Sequence, residues 1–208
     1  MKESIFITLT IILIYIFLLI NNKNLKLVEY NGNKIFIQNS ENLENSKNSI
    51  ELLGELVFRL YKLRDYLVDN IDNIFINYNI KKYLSENEFI ESIKLLKTNF
   101  NKNRTKVYEN INQSQYTSYS VNKGEELVFC LKARTLNNNY HPIDLLMYVA
   151  IHELAHCGCK EIGHTHLYNR IFRVYLLIGI ELKIYKYINY EIYPVEYCGM
   201  TLNSHILN

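Results

Sequence analysis

The chain has 208 residues and a formal net charge of +2, and 49% of its residues are hydrophobic. This length allows one domain with a well-buried core and is too short for two domains of ordinary size. The nearly balanced charge argues against nucleic-acid binding, because proteins that bind nucleic acids usually carry a strong basic patch. No oligomeric state follows from these numbers.

Residues 1–22 are predicted to form a transmembrane anchor. Residues 5–20 are apolar apart from two threonines, and at about 1.5 Å per residue a helix of this length barely spans a hydrocarbon core of about 30 Å. A cleaved signal peptide is the alternative, but its cleavage site needs small residues, and the first thirty positions hold no alanine or glycine. We therefore expect a single-pass membrane protein, with the positive-inside rule weakly favouring a cytoplasmic side for residues 23–208.

The segment after the anchor predicts a hairpin and a long helix. Two apolar runs within residues 25–38 flank Asn31-Gly32, which is a strong signal for a tight turn between strands. From about residue 43 to 68, leucine and valine recur at three- and four-residue spacing, which is typical of an amphipathic helix. Such an apolar stripe usually packs into a core rather than binding a partner.

A second helix is predicted to begin after Ser85. Ser85 and Glu88 have the spacing of a capping box, and the helix should run to about residue 97. Residues 99–115 are polar and irregular, and we predict no regular element there.

A second hairpin is predicted shortly before the most informative helix of the chain. Residues 116–121 and 126–133 flank the turn residues Asn122-Lys123-Gly124. We hypothesise that an edge strand here pairs with an extended peptide, as in many proteases. A plain sheet edge without this role is the simpler alternative.

The next helix carries the motif His-Glu-x-x-His as His152, Glu153 and His156, and we call it the motif helix. Pro142 suits its first turn, and Gly158 suits its end. Residues four apart lie on one face of a helix, so the two histidines can offer imidazole nitrogens to one metal ion. Imidazole nitrogens suit Zn²⁺, and a catalytic zinc takes three protein ligands and a water. Glu153 can then accept the proton of that water.

The third ligand is expected just beyond the motif, where His164 and His166 are the candidates. Gly163 lets the chain turn and direct His164 back toward the motif helix. If the next helix, predicted from residue 167 to about 187, begins near Thr165, the side chain of His166 points about 200° away from that of His164. We therefore choose His164 and keep His166 as the alternative.

Four cysteines are present, and no redox compartment follows from them. Cys157 and Cys159 are spaced more closely than the usual pair of a zinc knuckle, so ordinary reduced thiols are the expected state. Cys130 and Cys198 could meet in the folded chain, but the sequence leaves this open.

These residues together resemble a known family. The motif followed by Gly163-His164 and an aromatic residue at Tyr168 resembles the WLM and SprT-like zinc metalloproteases. More closely, the chain from about Tyr30 to its end is similar to small membrane-anchored, WLM-like metallopeptidases of large DNA viruses. The similar segments are residues 117–132, 146–156, 163–165 and 194–200.

The resemblance implies that His152, His156 and His164 are the zinc ligands and that Glu153 is the general base. The chain departs from the family after the third histidine, where His166 stands in a segment that usually holds a proline and an acid. Because of this departure, His166 remains an alternative to His164 as the third ligand.

We therefore predict an α+β domain of minimal zincin type, in which a small antiparallel sheet packs on the motif helix and further helices, after one N-terminal transmembrane helix. Residues 1–22 form the anchor, and residues 23–208 form the WLM-like zinc metalloprotease domain. The expected function is a membrane-anchored zinc metallopeptidase that hydrolyses peptide bonds of a polypeptide substrate through zinc-activated water. The alternative is a non-catalytic, membrane-anchored scaffold that keeps zinc for stability, although Glu153 would have no use in such a site. Candidates for the group that stabilises the oxyanion lie near the C-terminus: Tyr193, Tyr197 and His205.

Overall fold

The computed structural model describes residues 25–111, 117–134 and 139–207. The predicted anchor at residues 1–22, and the domain boundary drawn after it, lie outside these residues. The described chain has a mixed α+β fold, as predicted, in which a five-stranded sheet and several helices pack around the motif helix.

The sheet is formed by five short strands: β1 (Leu25–Tyr30), β2 (Asn33–Gln38), β3 (Lys106–Glu109), β4 (Tyr119–Val121) and β5 (Glu126–Phe129). Their order across the sheet is β1-β2-β3-β5-β4. The β1–β2 and β4–β5 pairs are antiparallel, whereas β3 lies parallel to both β2 and β5. Both predicted hairpins are thus present, and Asn31 and Gly32 adopt the positive φ angles of a tight hairpin turn.

The prediction of an antiparallel sheet is wrong at the centre of the sheet. β3 comes from the segment where no regular element is predicted, and it inserts between the two hairpins in parallel pairing. Val107 faces the core, but the next inward position of β3 is the buried acid Glu109. Glu109 accepts hydrogen bonds from the backbone N–H of Gln38 at 2.9 Å and from the hydroxyl of Ser49 at 2.8 Å. A charged residue at an inward position interrupts the alternation of apolar residues by which strands are predicted, so the pattern did not predict β3.

Each helix predicted within the described residues is present, while a short helix at Ile71–Asn77 and a 3-10 turn at Ile80–Lys82 were not predicted. The Ser85 capping box is present, with Glu88 accepting from the Ser85 backbone at 2.9 Å. The helix after the motif ends at Glu181 rather than near residue 187. In chain order the helices are α1 (Leu43–Asp69), α2 (Ile71–Asn77), α3 (Glu86–Asn99), α4 (Ile143–Gly158) and α5 (His166–Glu181), with a short 3-10 turn at Ile80–Lys82. A separate hairpin, β6 (Val195–Tyr197) and β7 (Met200–Leu202), follows near the C-terminus.

The motif helix is α4, and it lies in the core against α1, α3 and α5. Leu146, Ile151 and Leu154 are fully buried, as expected for a helix that is apolar on most of its faces. The end of α4 is packed very closely, because a Cβ atom on Gly158 would lie 2.2 Å from the hydroxyl oxygen of Tyr175 in α5. Gly158 therefore ends the helix at a point where α5 leaves no room for a side chain.

The predicted single-pass membrane localisation is corrected by the described helices. Within residues 25–111, 117–134 and 139–207, no helix combines the length and the apolar character needed to cross a membrane. α1 has 27 residues but carries charges along its length, and the apolar α4 has 16 residues, fewer than the roughly 20 that a span requires. This finding contradicts the predicted localisation.

Candidate metal centre

Two histidines project from one face of α4 into a cleft. His152 and His156 are four residues apart, and the centroids of their rings lie 5.1 Å apart. Both side chains are partly exposed, while Ile151 and Ala155, which precede them in sequence, are fully buried. The burial of the other faces of α4 therefore fixes the face that carries the two imidazoles.

His164 joins this pair from the loop between α4 and α5. The preceding Gly163 has a φ of 81°, a left-handed conformation that favours glycine. The Nε2 atoms of His164 and His152 lie 3.0 Å apart. One ring nitrogen from each of His152, His156 and His164 lies within 4.8 Å of the other two, so the three residues form a group that could hold a metal ion.

His166 lies outside this group. It is the first residue of α5, and its side chain is exposed. Thr165 caps α5, with its hydroxyl accepting from the Tyr168 backbone at 3.3 Å. The helix therefore begins one residue before its predicted start at residue 167, which meets the condition on which the choice of His164 over His166 rests.

The donor set of the three-histidine group fits zinc. Burial, with smaller contributions from His156 and His164, lowers the pKa of His152 to about 3. Burial, followed by the nearby His164 and Lys123, lowers the pKa of His156 to about 4. Both imidazoles are therefore neutral at pH 7, which is the form that binds a zinc ion.

Tyr168 of α5 packs against all three imidazole rings. Its ring centroid lies 4.3 Å from that of His156, 5.0 Å from that of His164 and 5.3 Å from that of His152. Its hydroxyl donates a hydrogen bond to the backbone carbonyl of His152 at 3.1 Å. Tyr168, the aromatic residue that follows the third histidine in the sequence pattern, thus contacts both the rings and the backbone of the group.

Glu153 faces the cleft beside the histidines, with 5% of its surface exposed. Burial raises the pKa of its carboxyl group to about 8, because the charged form loses hydration. A cation held by the adjacent histidines would oppose this effect, since an opposite charge at short range stabilises the carboxylate.

The cleft beside the histidines has a volume of about 760 Å³ and is lined on one side by residues 117–120, which include the start of β4. β4 is an edge strand of the sheet, as predicted, because β5 is its neighbour on one side only. Apolar residues that also line the cleft include Val149, Met200 and Leu202. The cleft thus combines residues of the edge strand β4, apolar side chains and the histidine group.

The three oxyanion candidates lie in different surroundings. Tyr193 is 69% exposed and does not line the cleft, and His205 is buried among tyrosines and does not line it either. Tyr197 lines the cleft, where its hydroxyl donates to the carbonyl of Cys130 at 3.3 Å and hydrogen-bonds with the hydroxyl of Ser118. Of the three, Tyr197 is therefore the one placed near the histidine group.

A disulfide between Cys130 and Cys198 holds the wall of the cleft that carries Tyr197. It joins the end of β5 to the turn between β6 and β7, across a sequence separation of 68 residues. The sequence left this pairing open. Cys157 and Cys159 are free and buried, and the predicted reduced state stays a prediction.

Comparisons with known proteins find viral relatives, and no family model matches the chain. The uncharacterized protein R325 of Acanthamoeba polyphaga mimivirus is 40% identical over 167 residues, which cover 80% of this chain and 77% of that protein. The uncharacterized protein 136R of Invertebrate iridescent virus 6 is 33% identical over 69 residues, or 33% of this chain and 38% of that protein.

Among solved structures, a crystal structure of Wss1 from Saccharomyces cerevisiae is similar, with a TM-score of 0.33 and 19% identity over 48% of this chain and 77% of that chain. A mutant of Wss1 has the same TM-score and 17% identity over 52% of this chain and 82% of that chain. A TM-score of 0.33 is too low to establish a shared fold.

Proposed function

For this chain, which belongs to the same family as the uncharacterized protein R325 of Acanthamoeba polyphaga mimivirus, we propose the function of a zinc-dependent peptidase. The observation that carries the proposal is the meeting of His152, His156 and His164 beside the buried carboxyl group of Glu153 in one cleft. The resemblance of the same residues to WLM-like metalloproteases agrees with it.

In this proposal His152, His156 and His164 hold the zinc ion. Bound zinc supplies Lewis-acid chemistry at this position: it polarises a carbonyl group and lowers the pKa of water to about 7. Three imidazoles would satisfy the usual protein-ligand count of a catalytic zinc. A structural zinc site would normally take four protein ligands, and the group of His152, His156 and His164 has three. This difference favours a catalytic site over a scaffold that keeps zinc for stability.

Glu153 is the general base of the proposed reaction. It accepts a proton from the attacking water and passes it to the nitrogen of the leaving amine. Its position directly after His152 on α4 places the carboxyl group beside the histidines and at the wall of the cleft.

The edge of β4 is the proposed binding site for the substrate. An extended peptide can add to an exposed strand edge through backbone hydrogen bonds, and this mode of binding needs little sequence specificity. Tyr119 and Ser120 of β4 line the cleft that also contains His152 and Glu153, so a peptide paired with β4 would run past the proposed zinc site.

The proposal is tested on the full chain with Glu153→Gln, because the amide keeps the shape of the carboxyl group but cannot accept a proton. We expect cleavage of an unstructured protein substrate to fall by roughly 10²–10⁴-fold, with unchanged zinc content by elemental analysis. Glu181→Gln, which changes an exposed carboxylate at the far end of α5, serves as the control and should cleave at the wild-type rate.

Three outcomes would count against parts of this proposal. Cleavage by the Glu153→Gln variant at the wild-type rate would remove Glu153 from the role of base. Unchanged zinc content in a His152→Ala/His156→Ala variant would remove the metal site. A wild-type chain that binds zinc through these histidines but cleaves no substrate would support the scaffold alternative.

A further inference from the structure

The turn between β4 and β5 places a lysine in an unusual backbone conformation. Lys123 has a φ of 56° and follows Asn122, whose φ is 46°. The left-handed region is common for glycine and accessible to asparagine, but lysine seldom adopts it. A conformation of this kind persists when the surrounding contacts enforce it, and such positions are often functional.

The side chain of Lys123 contacts the loop that carries His164. Its Nζ atom donates one hydrogen bond to the carbonyl oxygen of Cys159 and a second to that of Glu161, the latter at 2.7 Å. Both carbonyl groups lie between the end of α4 and His164. Lys123 therefore spans from the substrate-side hairpin to the segment that brings the third histidine to the group.

The turn is itself fixed to the body of the protein, so it can serve as a rigid support. A Cβ atom on Gly124 would lie 2.8 Å from the sulfur of Cys157 and 2.9 Å from the carbonyl oxygen of Asn99. Arg104 donates to the carbonyl oxygen of Asn122 at 3.0 Å. The turn thus rests on the last turn of α4, directly beside His156.

We propose that Lys123 is a positioning residue, which holds the loop of residues 159–163 so that His164 meets His152 and His156. The inference rests on the proposed zinc site. Lys123 acts through two hydrogen bonds on the loop backbone and does not contact the metal in this role. Residues that support ligands in this indirect way typically change metal affinity by about 10–100-fold.

The direction in which zinc affinity changes when Lys123 is replaced distinguishes the positioning role from a purely electrostatic effect of its charge. Lys123 is close enough to act electrostatically on His156. Removal of a positive charge from the neighbourhood of a cation site should strengthen zinc binding by Coulomb's law. Loss of a positioning contact should weaken it, so the two roles predict opposite changes in the zinc dissociation constant.

The test compares the full-length wild-type chain with Lys123→Gly and Lys123→Met, using zinc titration against a chelating dye. Glycine suits the positive φ angle, so the first variant should fold at least as well as wild type in thermal melts without zinc. We expect both variants to bind zinc about tenfold more weakly. Lys123→Arg, which keeps hydrogen-bond donors on a long side chain, should regain most of the affinity.

Lys160→Met is the matched control, because Lys160 belongs to the same loop but forms an exposed ion pair with Glu91 at 2.9 Å. Its zinc affinity should equal that of wild type. Wild-type or tighter binding by Lys123→Gly would overturn the positioning role while leaving the zinc site intact. A wild-type chain that binds no more zinc than His152→Ala/His156→Ala would instead overturn the proposed function.

Discussion

The direction of one imidazole ring decides which histidines make up the candidate centre. Gly163, with its positive φ angle, turns the chain so that His164 faces His152 at 3.0 Å between their Nε2 atoms. Two residues later α5 begins, and His166 in its first turn is exposed. Tyr168 then packs on the three rings from the next part of the same helix. A glycine and a helix cap thus separate two chemically identical candidates.

We predict that His164→Ala weakens zinc binding by more than about 100-fold, because loss of a ligand should exceed the 10–100-fold effect of supporting residues. His166→Ala should leave the dissociation constant within about twofold of wild type, since removing an exposed side chain outside the group costs little. Zinc titration of both variants against a chelating dye measures the difference. The reverse order of affinities would mean that His166 is the third ligand.

At the scale of elements, the candidate centre depends on the close approach of α4 and α5. α4 supplies His152, Glu153 and His156, and α5 supplies the supporting Tyr168. Gly158 permits the approach at the end of α4, where the hydroxyl of Tyr175 also hydrogen-bonds with Ser92 of α3 at 2.8 Å. Three helices therefore meet at one glycine, two residues after the last histidine of the motif.

We predict that Gly158→Ala lowers the free energy of unfolding by about 1–3 kcal/mol, the usual cost of overpacking in a core. The added Cβ atom would lie 2.2 Å from the oxygen of Tyr175 and 3.0 Å from that of Ser92. Urea denaturation followed by circular dichroism measures the change. Tyr175→Phe removes the clashing oxygen, so the double variant should be less destabilised than the sum of the two single changes. Strict additivity would show that the clash with Tyr175 is not the cause.

At the scale of the whole molecule, a disulfide and hydrogen bonds join the hairpin of β6 and β7, which lines the cleft, to the sheet. The disulfide of Cys130 and Cys198 joins the end of β5 to the turn of that hairpin. The hydroxyl of Tyr197 adds hydrogen bonds to Ser118 and to the Cys130 carbonyl at the same place. One wall of the cleft is therefore built from segments that are far apart in sequence.

We predict that Cys130→Ser/Cys198→Ser lowers the free energy of unfolding by about 4 kcal/mol, the chain-entropy value for a closed loop of 68 residues. Urea denaturation of both proteins, with and without dithiothreitol, measures the change. The reductant should bring the wild-type chain to the stability of the double variant and leave the variant unaffected. Equal stability of wild type and variant under oxidising conditions would show that the disulfide does not stabilise the fold.

Short-range patterns in the sequence were sufficient to predict many of the helices and strands. The turns that contain glycine predicted both hairpins, the spacing of the leucines predicted α1, and the Ser85 capping box predicted the start of α3. The four-residue spacing of the motif was enough to place His152 and His156 on one face of a helix. In each case the deciding interactions join residues only a few positions apart, so the local sequence contains the necessary information.

Contacts between distant segments decided the rest. The parallel insertion of β3 depends on partners for Glu109 at Gln38 and Ser49, which lie 71 and 60 residues away. The pairing of Cys130 with Cys198 and the position of Tyr197 at the cleft likewise join segments that no local pattern connects. His164 meets the motif pair because packing of α5 and the hydrogen bonds of Lys123 fix a loop whose own sequence permits many conformations. The sequence by itself determined the local helices and hairpins and identified histidines as the candidate ligands. Tertiary packing decided which side chains share the cleft, because their meeting depends on interactions that form only in the folded chain.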